Sequence, residues 1–393
     1  MAVTGTTCPA CDTPGVRVFY EKKAIPVNSV LQLDTKEEAV GFPTGDMALG
    51  HCSACGFIYN TAFDADRLEY SDRYEETQSY SAVFRTWHER LVHDLIERYG
   101  LKQKKIIEIG CGKGEFLRML CEAGDNRGLG FDPSYVPGRD GGGQAEIEFI
   151  SDFYGPRYAD RSGDFVCCKM TLEHIATTRD FVDTVRQTVG DQTDTVVLFQ
   201  IPDVQKILED CAFWDIYYEH CSYFSLGSLG RLFRRAGFDV KRLTREYDGQ
   251  YIMIEAVPST GEPSAPLPEE DDLALIAGLV EQFEERMKAQ LQDWGGRLGA
   301  WKEQNKKVVV WSSSSKATAF LTTLPHTDIV DWVVDINPRR QGHFMAKGGQ
   351  EIVGQDFLID YQPDVVVIMN PIYRDEIVAD LERRQLTPEV LTT

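Results

Sequence analysis

Residues 105–120 read Lys105-Ile106-Ile107-Glu108-Ile109-Gly110-Cys111-Gly112-Lys113-Gly114-Glu115-Phe116-Leu117-Arg118-Met119-Leu120. A short apolar run stops on three alternating glycines, and a helix-forming stretch follows. This predicts a strand, a tight loop that brings backbone close to a ligand, and a helix. Working outward, RGLGFD (127–132), EIEFI (146–150), DFVCCKM (164–170) and TVVLFQIP (195–202) are further short apolar runs. Helix-length segments separate most of them, which is the pattern of an open, mainly parallel α/β sheet. The order then changes. Leu229–Gly237 reads as a helix, and Phe238–Tyr247 and Tyr251–Val257 read as a hairpin through Asp248-Gly249-Gln250.

The chain has 393 residues, with 41 Lys+Arg against 62 Asp+Glu and a net charge of −21. An acidic surface repels phosphate backbones and anionic lipid, so nucleic acid and membrane are not the expected partners. No apolar run approaches the ~18 residues of a spanning helix. The N-terminus lacks a basic stretch followed by an apolar core, and a cytoplasmic location is expected. Four of the ten cysteines form two CxxC pairs, Cys8/Cys11 and Cys52/Cys55. In a reducing compartment that spacing predicts one structural zinc ion held by four thiolates. The expected organisation is a zinc-binding module over 1–60, a helical connector over 61–103, and the α/β domain over 104–257. A Pro- and acid-rich linker over 258–272 and a second, Rossmann-like α/β domain over 273–393 complete it. In the connector, Phe84, Trp87, Leu91 and Leu95 recur at helical spacing. Ile276, Val280, Phe283, Met287, Leu291, Trp294 and Leu298 do the same after the linker, and are read as the core face of a long helix.

The glycine loop alone does not choose between a dinucleotide and S-adenosylmethionine. Three features favour the latter. Glu108 precedes Gly110, Gly112 and Gly114 in the ExGxGxG order of class I methyltransferases. Asp132 ends the second strand, where a carboxylate can accept both ribose hydroxyls. Asp152 and Phe153 follow the third strand, where they can hold an adenine. The G-x-G-x-x-G spacing of a nicotinamide site fails, because position 115 is Glu. Cys111 within the loop, and Met170 at the end of the fourth strand, complete the candidate cofactor set.

Together, CPAC (8–11), HCSACG (51–56), EIGCGKGEFL (108–117), KMTLEHI (169–175) and YYEHCSYFS (217–225) resemble the sugar C-methyltransferases of deoxysugar biosynthesis. SSSSKATAFL (312–321), VVDINPRRQGHF (333–344) and PDVVVIMNPIYRDEI (363–377) resemble that family's C-terminal domain, so the resemblance covers essentially the whole chain. It implies a class I methyltransferase domain between a zinc module and a C-terminal α/β domain. It also implies methylation, by S-adenosylmethionine, of the carbon beside the ketone of a nucleotide-linked keto-deoxysugar. By this similarity His220 is the base, and Tyr217 and Glu219 orient it or bind substrate oxygens. His174 is a second candidate for substrate or acid/base work, at the carboxyl edge of the sheet. Tyr74 or Tyr80 supplies the tyrosine of a segment that closes over the cofactor. Ser313, Ser314 and Lys316 open a helix whose amides can receive a diphosphate. One departure concerns residues 339–349, where the family's proline is missing. A different acceptor, a sugar oxygen or a non-sugar small molecule, is the alternative.

Overall fold

The computed structural model of the chain describes residues 6–261 and 264–393. The N-terminal part holds β1 (Arg17–Pro26), α1 (Lys36–Val40), β2 (Thr44–His51) and β3 (Ile58–Asn60), followed by helix α2 (Ala82–Tyr99). Ser81 caps α2 by accepting from the Phe84 amide, and Gly100 ends it in the left-handed conformation. Its Phe84, Trp87, Leu91 and Leu95 are buried.

The middle part runs β4 (Lys105–Ile109), α3 (Glu115–Gly124), β5 (Arg127–Phe131), β6 (Ile147–Ile150), β7 (Phe165–Lys169), α4 (Thr178–Val189) and β8 (Val196–Pro202). It continues with α5 (Val204–Asp210), β9 (Ser222–Tyr223), α6 (Leu226–Arg235), β10 (Phe238–Glu246) and β11 (Tyr251–Pro258). The sheet order is β10-β11-β8-β7-β4-β5-β6. Strands β4 to β8 are mutually parallel, while β11 enters antiparallel between β8 and β10. This is the class I methyltransferase sheet, and the five parallel strands and the hairpin stand where the sequence predicts them. Between β5 and β6, Pro133, Pro137 and Gly141–Gly143 leave a loop in place of a crossover helix. Helix α6 starts three residues before the expected Leu229, because Ser225 and Ser228 form a reciprocal cap.

The C-terminal part begins with α7 (Leu273–Glu303), then β12 (Val308–Trp311), α8 (Ser315–Thr323), β13 (Val330–Val334), β14 (Glu351–Val353), α9 (Phe357–Tyr361), β15 (Val365–Ile368), α10 (Arg374–Arg383) and β16 (Glu389–Thr392). Its sheet is parallel throughout, in the order β14-β13-β12-β15-β16. Strands β14 and β16 lie at the two edges. Neither is marked in the sequence, since each is only three or four residues of mixed polarity.

Two packing features position the site. First, the apolar stripe of α7, including Ile276, Val280, Phe283, Met287 and Leu298, is buried in one core with Phe19 and Met47 of the N-terminal sheet and Phe320 and Val365 of the C-terminal part. Each large side chain buried there contributes roughly 1.5–3 kcal/mol before entropy is counted, so these parts hold one another in place. The core-face reading of α7 is therefore correct. Second, β9 comes from the middle part of the chain but pairs with β3, giving the N-terminal sheet the order β1-β2-β3-β9. The segment just before β9 is thereby fixed between the two parts. Residues 264–272 pack on α6: Arg231 pairs with Asp272 and Arg234 with Glu270, both acids being buried.

Candidate active site

A cavity of about 1600 Å³ opens at the carboxyl ends of the central strands, with walls from all three parts. Single small-ligand sites occupy roughly 300–1,000 Å³, so this one has room for a cofactor and a large acceptor together. Its floor is the loop between β4 and α3. Gly110 and Gly112 have φ of 69° and 54°, which favours glycine. A Cβ on Gly110 would meet the Thr171 hydroxyl at 1.9 Å, and one on Gly112 would meet Glu76 at 2.5 Å. The Gly110 and Cys111 amides donate to the Phe131 carbonyl. Asp132 accepts from the Gly112 amide at 2.8 Å and from the Ser134 amide and hydroxyl at 2.7 Å, which fixes its carboxylate at the end of β5.

Of the other predicted cofactor residues, Glu108, Cys111, Asp132, Asp152, Phe153, Met170 and Tyr74 line the cavity, while Gly114 lies outside its wall. Burial pushes Glu108 up to about 8, with Lys169 acting in the opposite direction. It also raises the Cys111 thiol well above its ordinary value, which suits a packed small residue rather than a nucleophile. Phe153 is 57% exposed. Asp152 accepts from the Tyr158 hydroxyl at 2.6 Å and pairs with Arg157, so it is held low. Tyr80, the alternative to Tyr74, is half exposed on the cavity rim.

The same cavity is lined by the candidate acid/base groups His174, Tyr217 and His220. The His220 ring lies 4.1 Å from that of Tyr217 and 4.8 Å, edge to face, from that of His174. Its Nε2 is 4.0 Å from Glu173 Oε1, beyond hydrogen-bond range. Burial, aided by the charges of His174 and Lys316, holds His220 well below its ordinary value. Burial lowers His174 to about 4 and raises Glu173 to about 8. Both oxygens of Glu173 are without a hydrogen-bond partner among the described residues. Glu173, His174 and His220 also lie close enough to hold a cation. Glu219 lies outside the cavity wall. It accepts from the Ser29 amide and hydroxyl and from the Tyr74 hydroxyl, at 2.5–2.6 Å. Those bonds tie the YYEH segment to the N-terminal part and to Tyr74.

Three groups escaped the sequence reading. Tyr70 hydrogen-bonds His174 Nδ1 at 2.9 Å across 104 residues. Lys169 Nζ reaches His88 Nε2 at 2.7 Å. Glu75 is buried and paired with Arg139, with Asn337 and Arg340 of the C-terminal part bonded to it. These contacts are long-range and leave no local signal. On the C-terminal wall, Ser314 and Lys316 face the cavity, but Lys316 is paired with Asp215. Ser313 instead donates to Asp335 at the end of β13, which holds this loop much as Asp132 holds the first.

The four N-terminal cysteines come together on two knuckles and are buried. Cys8 and Cys55 sulfurs are 3.7 Å apart, and Cys11 and Cys52 sulfurs 3.6 Å. Tetrahedral zinc with Zn–S of about 2.3 Å requires sulfurs about 3.8 Å apart, so the residues fit the ion.

Among known proteins, residues 84–243 match the model of a methyltransferase domain, and residues 265–387 match that of a C-methyltransferase C-terminal domain. The C-methyltransferase NovU of Streptomyces niveus is 26% identical over 315 residues, which is 74% of this chain and 72% of that protein. Solved structures with local likeness include the PH0226 protein of Pyrococcus horikoshii OT3, with TM-score 0.39, 15% identity, and coverage of 49% of this chain and 100% of that one. Another is the 1,6-didemethyltoxoflavin-N1-methyltransferase of Burkholderia thailandensis, with TM-score 0.34, 12% identity, and coverage of 45% and 81%. No helix among the described residues is long and apolar enough to cross a membrane. The two domain matches fall on the two parts that share the cavity, and the chain belongs to the S-adenosylmethionine-dependent methyltransferases that carry a C-methyltransferase C-terminal domain.

Proposed function

We propose that the chain methylates the carbon beside a ketone on a nucleotide-linked deoxysugar, with His220 as the base. The observation that carries this is the placement of His220. It lines the same cavity as the glycine loop, and residues of the C-terminal part line that cavity too. An imidazole can take a proton only in its neutral form, and burial, which holds His220 well below its ordinary value, favours that form. His220 takes the proton from the carbon, and the electron pair moves onto the carbonyl oxygen as an enolate. Tyr217 and His174 stand beside the imidazole, where a hydroxyl or ring N–H can hydrogen-bond that oxygen. Tyr70 fixes the His174 ring. Glu219 positions the segment rather than touching substrate, since Ser29 and Tyr74 occupy its oxygens. S-Adenosylmethionine, when bound, supplies the electrophilic methyl group. Glu108, Gly110, Gly112 and Asp132 are the residues proposed to hold it. Cys8, Cys11, Cys52 and Cys55 are proposed to hold a structural zinc. The nucleotide part of the acceptor would lie against the Ser314 loop.

Proton exchange tests this directly. The chain, with S-adenosylhomocysteine in place of the methyl donor, is incubated in heavy water with a dTDP-4-keto-6-deoxysugar. Loss of one proton signal beside the ketone, abolished by His220→Asn, is the expected result. Absence of exchange with every keto sugar tried would redirect the reading to an oxygen acceptor. Exchange that required an added divalent metal would assign Glu173, His174 and His220 to a cation instead.

A further inference from the structure

One titratable group that lines the cavity has no part in the proton transfer described above. Glu173 lies in the short turn Leu172–His174 that follows β7. It is 1% exposed, and both of its carboxyl oxygens are without a hydrogen-bond partner among the described residues. Two hydrogen bonds hold this turn against the segment that carries His220. The Cys221 thiol donates to the Glu173 carbonyl at 3.5 Å, and the Ser222 hydroxyl donates to the Ile175 carbonyl at 2.8 Å. The 4.0 Å between Glu173 Oε1 and His220 Nε2 is therefore set by the fold and not by a bond between the two side chains. The titratable groups around the carboxyl are Cys168 and His174 of its own stretch, Tyr217, His220 and Cys221 of the segment leading into β9, Tyr70 of the connector and Tyr251 of β11. No lysine or arginine among the described residues acts on it. Burial raises it to about 8, opposed only by its own backbone, so it keeps its proton at pH 7. A buried donor with nothing to donate to is costly and calls for a reason. Beside an imidazole held low and neutral, a carboxyl held high and protonated is the complementary half of an acid–base pair.

We propose that Glu173 is a further catalytic residue, whose carboxyl O–H donates a hydrogen bond to the carbonyl oxygen beside the carbon that His220 deprotonates. The proposal rests on the keto-sugar reading and adds a donor for the charge that develops on oxygen. The reacting carbon and the carbonyl oxygen are about 2.4 Å apart by standard bond lengths. A base and a donor 4.0 Å apart can each reach its own end of that unit. As His220 takes the proton, the C–H pair becomes the carbon–carbon double bond and the carbonyl pair moves onto oxygen. The Glu173 proton stays on its carboxyl while the hydrogen bond to that oxygen strengthens. When the carbon takes the methyl group, the pairs return and the ketone re-forms. A donor enclosed from water is worth more to the enolate than the same donor in solvent.

The test is the heavy-water exchange assay on the full chain, with S-adenosylhomocysteine and a dTDP-4-keto-6-deoxysugar. Loss of one donor to an oxyanion costs about 10²–10³-fold, so Glu173→Ala should lower the exchange rate by that factor at saturating sugar, with KM little changed. Glu173→Gln keeps the shape and an N–H donor that does not titrate, and should recover about tenfold or more of that loss at pH 7. The pH profile separates this role from a structural one. A donor that works only while it holds its proton gives an alkaline limb of kcat/KM near 8 in the wild type, and Glu173→Gln should lack it. Burial holds Tyr217 well above its ordinary value, so a limb set by Tyr217 would lie beyond pH 10. Should Glu173→Ala not fold, the limb in Glu173→Gln decides. Glu173→Ala at the wild-type rate, Glu173→Gln no better than alanine, or a limb near 8 that survives in the glutamine variant overturns the proposal. Exchange that needs an added divalent cation would make Glu173 a ligand and overturns it as well. A wild type that exchanges no keto sugar overturns the keto-sugar reading itself, and this assignment with it.

Discussion

His220→Ala lowers turnover by about 10²–10⁴-fold and leaves S-adenosylhomocysteine affinity within about twofold of the wild type. The two halves of this expectation come from different contacts. His220 stands against Tyr217 and His174 in the cavity wall. Removing the ring deletes the proposed proton acceptor while the loop keeps its own bonds, donated to Phe131 and Asp132. The pH profile separates a base from a merely structural ring. A histidine titrating at its ordinary value would give an acid limb near pH 6.5. Burial depresses His220, so its neutral form persists to lower pH. The acid limb of kcat/KM should therefore lie below 6.5 in the wild type, and whatever activity remains in the alanine variant should lack it. Turnover within a factor of three of the wild type would remove His220 as the base. A limb unchanged in the variant would assign it to another group, of which His174, lowered to about 4, is the nearest.

How far the sequence reveals this site depends on the range of each contact. The glycine loop is legible because strand, turn and helix follow one another within twenty residues, and the three glycines report the backbone conformation locally. The hairpin of β10 and β11 is legible for the same reason. The edge strands β14 and β16 are not. Three or four residues carry no period, and only their pairing with β13 and β15 makes them strands. Strand β9 is two residues long and exists because β3 offers an edge. Within the site, the YYEH pattern points to His220 and His174 is prominent by its place after β7. Their partners are not visible in the same way. Tyr70 lies 104 residues from His174, and His88 lies 81 residues from Lys169. Both tyrosines weighed from the sequence, Tyr74 and Tyr80, reach the cavity wall, yet Tyr70 is the one bonded to a histidine there. Spacing cannot rank three tyrosines within eleven residues, since their placement rests on long-range contacts such as the bridge of Leu31 with Tyr74. Glu219 is a further case. Its place in the pattern suggests that it orients His220 or binds substrate oxygens, while in the fold its oxygens meet Ser29 and Tyr74.

Cys52→Ser yields protein without zinc, with an unfolding midpoint lower by roughly 10 °C or more, and with reduced turnover although no cysteine of the cluster reaches the cavity. The route is short and runs through backbone. The Cys52 amide donates to the Phe57 carbonyl, and Gly56 donates to Cys52, so the knuckle sets the chain direction into β3. Phe57 packs on Phe224 with ring centroids 4.8 Å apart. Ile58 and Tyr59 pair with Tyr223 and Ser222, and the Asn60 amide donates to the Cys221 carbonyl. His220 is the residue immediately before Cys221. The Cys55 carbonyl also accepts from Arg231 of α6, which anchors the knuckle to the central part. Loosening the knuckle therefore frees the strand that follows His220, the proposed base, and the loss is expected in kcat more than in cofactor affinity. His220→Ala should retain zinc and the wild-type midpoint, so the two variants differ in metal content and stability while sharing a defect in turnover. Metal content is read by atomic emission and the midpoint by circular dichroism. A Cys52→Ser protein that is metal-free yet melts within about 2 °C of the wild type would show that the four thiolates hold nothing the fold depends on. A metal-free protein that is destabilised but turns over at the wild-type rate below its midpoint would break the proposed link from the knuckle through β3 and β9 to His220.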